Sequence, residues 1–591
     1  MRPIVFDDSI GWLSEAEGNR GVVIAGAHGF EDLCSRRFLK LLGERIAAAG
    51  CPVVQFDYPG CGDSAGDHLQ PGQVERWTGS IGAAADRLKL ETGVREIILV
   101  GFRLGALLAP LAAARRGDVA GLVLLAPPAS GKAYVREMTA LSRMIDAPLA
   151  ADGKTDPFTG LQVAGFRLSR ETLDDLAALN WKKSLPEAGV PRVLVMANGR
   201  QADASSSDPG GEQTDVEFAE FKGYSQLMCD PTANQIPLAA LDRCAGWIGA
   251  NAGSASGKGA AFPLSSVPQI LSGPDYLEEP VAIGEPQLCG VLCRPRGDAA
   301  GADPVIFLNA GAVPHVGWAR GTVEAARALA MEGVASLRID LPGLGQSAGP
   351  AQERMFLYDR RTRHDVARAI DWMEKAGFPS VGLVGTCSGA FQAFHASRAD
   401  RRVARLTMIN PLCFSWNGSY ALEMAVWKAY ETSKVALGQD KGTLQEAGSA
   451  SRASRLFGAA SHIASFLVRR GLELFKSALS TLHPARLRGS SVRRWMRALS
   501  NRGVRVLLVT SEGDLSLKEI DRHFGADGKH LQTMRGVARL TLDAADHTLT
   551  PYHARRALIA RLIHFGLDTG PHAASLPVRR PLARTADAAG R

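Results

Sequence analysis

The chain repeats itself. The stretch VVQFDYPGCGDSAG at 53–66 returns as ASLRIDLPGLGQSAG at 335–349, with Asp57 matching Asp340 at a spacing of 283. VGFRLGA at 100–106 returns as VGTCSGA at 384–390, and LAP at 125–127 as INP at 409–411, both at a spacing of 284. One long spacing shared by three separate motifs marks a tandem duplication, so whatever fold the chain adopts must be built twice. The length of 591 residues agrees, because it exceeds what one hydrophobic core supports. The copies meet across 251–275, a stretch rich in Gly, Ser, Ala and Pro that reads as a linker. The expected units are 1–250, that linker, 276–567, and a basic tail at 568–591 with the composition of a disordered segment.

Within each copy, short runs rich in Val, Ile and Leu alternate with helical stretches. GVVIAGA, VVQFDY, EIILVGF, GLVLLAP and RVLVMA are the runs of the first copy; PVIFLNAG, ASLRID, VGLVGT, RLTMINP and VRVLLVTS are those of the second. Continuous apolar strands separated by helices predict a mostly parallel sheet buried on both faces, hence a doubly wound α/β domain in each half. The more polar lead-ins, Pro3 to Ala16 and Val281 to Arg294, predict antiparallel strands. Each copy also carries an insertion between its fourth and fifth parallel strands, at about 130–190 and about 413–500, where a helical cap is expected.

The repeated turn differs at its centre. A strand, Gly-x-nucleophile-x-Gly and a helix form a nucleophile elbow, which holds its middle side chain exposed at a helix N-terminus. Gly385 and Gly389 flank Cys387 in this way. An acid at the tip of a late strand and a histidine near the end should follow in chain order. Asp514 in VRVLLVTSEGD and His547 in LTLDAADHTLTP stand in those places, while Asp543 and Asp546 beside the histidine read as turn residues. Ser388 is out of frame as a nucleophile, because Thr386 occupies the position where a glycine would be needed. His364 and His395 fall on helical stretches as surface or core residues, and Asp57 and Asp340 read as loop architecture. The competing reading makes Cys387 a small buried hydrophobe in an inactive elbow.

In the first copy the elbow holds Arg103, a permanent cation that cannot attack a carbonyl. Arg200 stands where the second copy has Asp514, and YSQLMCDPTANQIP holds no histidine where His547 would be. His28 and His68 are the only histidines of this half. No hydrolytic triad is expected here. Arg103, with His28 in the neighbouring loop, suits a carboxylate or phosphate. Alternatively it pairs with a local acid, Asp32, Asp57 or Asp63.

The net charge of +8 is uneven: eleven Arg and one Lys fall between Arg452 and Arg505, with Glu473 the only acid. Three readings of this basic second cap stand. It rims a pocket for an anionic substrate, it rests on anionic lipid, or it is a solvated face. Nucleic-acid binding is disfavoured, since no recognition module is present. No apolar run approaches the roughly 18 residues of a membrane span, and the N-terminus is acidic where a signal peptide is apolar, so a cytoplasmic protein is expected. The nine cysteines do not form a disulfide framework; Cys289 and Cys293 share one face of a strand. No metal-ligand spacing and no phosphate loop occur, so no metal or cofactor is implied.

With these motifs in view, both halves resemble α/β-hydrolase domains of the serine aminopeptidase-like, lysophospholipase-like group. The closer resemblance is to the paired hydrolases associated with exosortase and exopolysaccharide loci, carried by GFRLGALLAPLAA, by VAGFRLS at 163–169 and by GTCSGA. The resemblance implies two tandem α/β-hydrolase domains with Cys387 as nucleophile, His547 as general base and acid, and Asp514 orienting His547. It implies an oxyanion hole from the backbone N–H of Ser388 and a second N–H near Gly311 and Ala312 in NAGAVPHVG, with His315 lining the site. The departure is Cys for Ser, as in dienelactone hydrolase-like enzymes. A thiolate suits esters, thioesters and lactones more than amides, which sets aside the peptidase activity in the group's name. The expected activity is hydrolysis of a small acyl substrate by the second domain, with the first inactive. Two alternatives remain: acyl transfer to a sugar or amine through the same triad, and a non-catalytic scaffold in a polysaccharide or secondary-metabolite pathway.

Overall fold

A computed structural model describes residues 1–146, 158–198, 214–250, 269–297, 302–349, 357–416 and 485–568. Arg200, most of the linker, most of the second insertion and the tail after 568 lie outside the described residues.

The first sheet is built from β1 (Arg2–Phe6), β2 (Ser9–Ser14), β3 (Arg20–Ala25), β4 (Val53–Phe56), β5 (Glu96–Phe102) and β6 (Val119–Leu125). A small hairpin, β7 (Leu161–Val163) and β8 (Phe166–Leu168), precedes its last strands, β9 (Arg192–Ala197) and β10 (Asp215–Glu220). The second sheet holds β11 (Leu271–Ser272), β12 (Tyr276–Ile283), β13 (Leu288–Pro295), β14 (Val305–Leu308), β15 (Ser336–Ile339), β16 (Val381–Thr386), β17 (Val403–Ile409), β18 (Arg505–Ser511) and β19 (Val537–Leu542). The strand orders are β1-β2-β4-β3-β5-β6-β9-β10 and β11-β12-β13-β15-β14-β16-β17-β18-β19. From β4 and β15 onward the two orders correspond strand for strand and all pairings are parallel. The lead-in strands pair antiparallel, as their more polar sequences predict. Helices cover both faces, and each sheet divides its apolar side chains between two cores. Among the described residues no helix is long and apolar enough to cross a membrane.

Both elbows have the same strained backbone. Arg103 sits at φ 52°, ψ −105° and Cys387 at φ 56°, ψ −116°, a region side-chain-bearing residues avoid. The flanking glycines are required by space. A Cβ on Gly385 would collide with the backbone of Gly389, and one on Gly389 would come within 2.5 Å of the Asn309 carbonyl oxygen. Gly101 and Gly105 are crowded in the same way. The duplication therefore preserved the turn and changed only what it presents.

The two domains meet through a buried chain of charges. Asp63 of the first domain binds His315 Nε2 at 2.6 Å and Arg338 Nη2 at 2.9 Å, both from the second. His315 Nδ1 in turn binds Asp340 at 2.7 Å, and Glu278 pairs with Arg338 at 2.8 Å and Arg327 at 2.6 Å. His315, expected to line the active site, is instead enclosed in this interface: the carboxylate of Asp63, brought by the other domain, decides which way its ring points. Asp340 keeps the expected loop role, accepting the Gln346 N–H, and adds the histidine to it. Apolar seams flank the charges, one formed by Ile10, Ala65, Leu271 and Val291, another by Leu33, Val313, Val316 and Val323.

Candidate active site

Each group of the second-domain site stands at the end of a parallel strand. Cys387 follows β16 and leads into the helix Ser388–Ala399. Asp514 follows β18 and caps the helix Leu515–Phe524 by accepting the Ser516 N–H at 2.8 Å. His547 lies in the loop after β19. Its Nδ1 is 2.8 Å from Asp514 Oδ2. Asp514 is thus the acid that meets the histidine; Asp546 instead accepts the Thr550 N–H and the Thr548 and Thr550 hydroxyls in its own turn.

The electrostatics follow from this placement. Burial alone would push the Cys387 thiol up, but His547 beside it, the Tyr358 hydroxyl and the Ser388 N–H outweigh burial and hold it below the ordinary thiol range. Burial would likewise favour neutral His547, yet Cys387 and Asp514 together raise it well above an ordinary imidazole. Asp514 is held low by the same contacts, although burial opposes this. Among the described residues the buried Nε2 of His547 has no nitrogen or oxygen partner; it is held to the Cys387 sulfur first by charge and then by a hydrogen bond. Seven of the other thiols move the opposite way: burial pushes up Cys34, Cys51, Cys61, Cys244, Cys289, Cys293 and Cys413.

Three neighbours of the site are not among the residues singled out in the sequence. Tyr358 brings its hydroxyl to 3.7 Å from the Cys387 sulfur, and its ring stacks on Trp416 at 4.5 Å. It lies between β15 and the next helix with no periodic pattern to flag it. Asn410 donates to the His547 carbonyl at 2.9 Å and accepts the Ser511 N–H at 2.7 Å, tying the histidine loop to β17 and β18. A signal for it existed: the repeat puts Ala126 at the same place, with the same positive φ, in the copy that has no histidine. Thr232, from the first domain, receives the Ala312 N–H at 3.4 Å. Of the expected oxyanion donors, the Gly311 N–H is taken by the Ser388 hydroxyl at 2.9 Å, while the Ser388 N–H points at the cysteine.

The first-domain elbow is occupied by its own residues. Arg103 Nε binds Glu31 at 2.7 Å and Nη2 binds Glu137 at 2.6 Å, and the rings of Tyr134 and Tyr224 flank the guanidinium. The expected partners Asp32, Asp57 and Asp63 are not the ones used: Asp32 and Asp57 hold Arg36, and Asp63 holds the interface. His28 is buried, which lowers it to about 3 and leaves it neutral. The pair expected to bind an anion therefore offers a cation already matched by two carboxylates and an uncharged ring. Residues 224–237 are described and bring no histidine to this elbow.

Comparison with known proteins agrees with the topology. Residues 18–165 match the family model for serine aminopeptidase, S33, and residues 303–430 match the model for the alpha/beta hydrolase fold. No curated protein sequence matches the chain. Similar solved structures include a dienelactone hydrolase from Anabaena variabilis, 14% identical, covering 49% of this chain and 96% of its own, with a TM-score of 0.29. Est1E from Butyrivibrio proteoclasticus is 15% identical over 42% of this chain and 99% of its own, with a TM-score of 0.30. A proline iminopeptidase from Mycobacterium smegmatis is 14% identical over 42% of this chain and 98% of its own, with a TM-score of 0.29. Two matched regions, one in each copy of a duplicated doubly wound sheet, make the chain a tandem pair of α/β-hydrolase domains.

Proposed function

We propose that the second domain hydrolyses esters, thioesters or lactones with Cys387 as nucleophile, and that the first domain performs no hydrolysis. The observation that carries this reading is the Asp514–His547 contact of 2.8 Å in series with a thiol that His547 holds low. A resting thiolate beside an imidazolium attacks the carbonyl carbon and forms a C–S bond, and the carbonyl electrons move to oxygen. The Ser388 N–H is one donor for that oxyanion, and the Ala312 N–H becomes the second when it exchanges the long contact with the Thr232 hydroxyl for the substrate oxygen. On collapse the alcohol or thiol leaves with the proton of His547, and an acyl thioester remains. His547, now neutral, takes a proton from water as the water attacks the thioester, and the second collapse regenerates the ion pair. Asp514 keeps the imidazole oriented and stabilises its charge.

Two measurements test the site directly. Iodoacetamide at neutral pH is expected to alkylate Cys387 ahead of the other cysteines, read by peptide mass spectrometry. The rate should fall only as pH drops through the depressed thiol pKa. In His547→Gln that profile should move up toward the ordinary thiol range. Equal labelling of all accessible thiols, unchanged in His547→Gln, would count against an activated cysteine. Tyr358→Phe removes one hydrogen bond to the sulfur and is expected to lower kcat/KM by about fivefold, the effect of about 1 kcal/mol. The same variant should raise the labelling pKa slightly, which a change confined to packing would not do.

A further inference from the structure

A cavity of about 280 Å³ opens between the domains, and none of Cys387, Asp514 or His547 lines it. The loops after β3 and β4 and the tip of the β7–β8 hairpin form its first-domain wall; Arg320, Glu324, Tyr552 and Arg555 form the other. On the first wall, Arg36 is matched by Asp32 at 2.7 Å and Asp57 at 2.5 Å. The second wall is not matched. Among the described residues neither Arg320 nor Arg555 has a carboxylate within ion-pair distance. Arg320 donates to the carbonyls of Gly62 and Ser64. Arg555, 5% exposed, donates to those of Thr550 at 2.5 Å and Gly165 at 3.2 Å, and its buried Nε has no partner among the described residues.

Carbonyl oxygens accept these hydrogen bonds without cancelling the charge. Arg167 stands nearby, 4.0 Å from the Tyr552 ring centre, and donates to Gln162 Oε1 at 3.2 Å. Among the described residues Glu324 is the acid that lines the second wall, and Asp67 lines the first; burial pushes the Glu324 carboxyl up although Arg555, Arg320 and Arg167 pull it down. The crowding of cations is felt by their neighbours. Burial and then Arg327 lower Arg320 to about 10, and burial and then Arg320 lower His68 to about 4. Phe56, Tyr58 and Phe166 supply apolar surface in the same cavity, and His28 supplies a neutral hydrogen-bonding ring.

We infer that this interdomain cavity binds a small organic anion, a carboxylate or phosphate monoester on an apolar body, through Arg320 and Arg555. Guanidiniums held in place by backbone carbonyls are already oriented, so the anion meets donors that need little reordering. The site is independent of the thiol chemistry proposed above.

Isothermal titration of the full chain with benzoate and with phenyl phosphate tests it, the two probes separating carboxylate from phosphate recognition. One saturable site per chain is expected for at least one probe, and it should be unchanged in Cys387→Ala. Glu324→Gln removes the acid that stands beside Arg320 and Arg555 in the cavity and should tighten binding several-fold. Arg320→Gln and Arg555→Gln should each weaken it about tenfold, the loss of one charged hydrogen bond. Melting curves identify any variant that fails to fold; both arginines also tie the domains together, so Glu324→Gln decides in that event. Absence of saturable heat with both probes, loss of the site in Cys387→Ala, or weaker or unaltered binding in Glu324→Gln would each overturn the inference.

Discussion

Cys387→Ala is expected to reduce turnover of a short-chain p-nitrophenyl ester or an acyl thioester by about ten-thousand-fold or more, with the protein still folded. Loss of the nucleophile from a triad leaves only the oxyanion donors and binding, and effects of that size follow. The substitution removes a single sulfur from a turn whose geometry is set by Gly385 and Gly389, so the elbow should persist. Cys387→Ser is expected to remain far below the wild type. A serine hydroxyl titrates much too high to share the proton with His547, and the ion pair that raises the imidazole is lost with the sulfur. His547→Gln should approach the alanine variant, because both the leaving-group proton and the water-activating base go with it. Turnover unchanged in Cys387→Ala would end the cysteine reading and place the activity at another residue. Turnover lost in an Arg103 variant that folds normally would contradict an inactive first domain. Arg103→Lys is the useful form, since Arg103→Ala would strand the buried carboxylate of Glu31.

The second large effect concerns stability. Asp63→Ala is expected to destabilise the protein by about 3–5 kcal/mol, because it takes from buried Arg338 and His315 one of the two carboxylates each is paired with and leaves Glu278 and Asp340 to hold them alone. Urea unfolding followed by fluorescence should show the loss, and it should appear in both domains although only the first is altered. A loss below about 1 kcal/mol would mean that the interface relaxes and admits water. The pH dependence has a defined sign. Burial works against charge on His315, but Asp340 and Asp63 raise it to about 10. Its contribution is therefore complete below the ordinary imidazole pKa and fades as pH rises through about 10. His315, Arg338 and their hydrogen bonds hold Asp63 well below the usual carboxylate range despite burial, and Asp340 is lowered by His315. Their contribution is present above the ordinary carboxylate pKa and is lost as pH falls through the lowered values. Asp63→Asn should flatten both limbs of the stability profile.

What the sequence disclosed was what short range controls. The spacing between Asp57 and Asp340 exposed the duplication, and the Val, Ile and Leu runs gave strands that pair as parallel sheets. The elbow was legible because its glycines answer to sterics within five residues, and Asp514 and His547 because strand order fixes where they can stand. The failures have different causes. Arg103 finds Glu31, the helix neighbour of the expected Asp32, and Glu137 on the inserted segment, instead of Asp32, Asp57 or Asp63. His315 is enclosed between Asp340 and Asp63, the second 252 residues away in the other domain. Tyr358 reaches the thiol from a segment without periodicity. The second basic cap remains a matter of sequence, since 417–484 lies outside the described residues.

The buried chain from Asp63 to Glu278 bears on how such a protein can evolve. After a duplication, a copy that loses its chemistry is usually free to be deleted. Here deletion of the first copy would uncover Arg338 and Glu278, side chains that are 0% exposed and hold each other's charge only partly. Selection for the second copy alone therefore retains the first, whether or not it turns over any substrate. Drift is then permitted unequally within that retained copy. The elbow could exchange a nucleophile for Arg103 at little cost, while Asp63, which performs no reaction, is the residue the lineage cannot release.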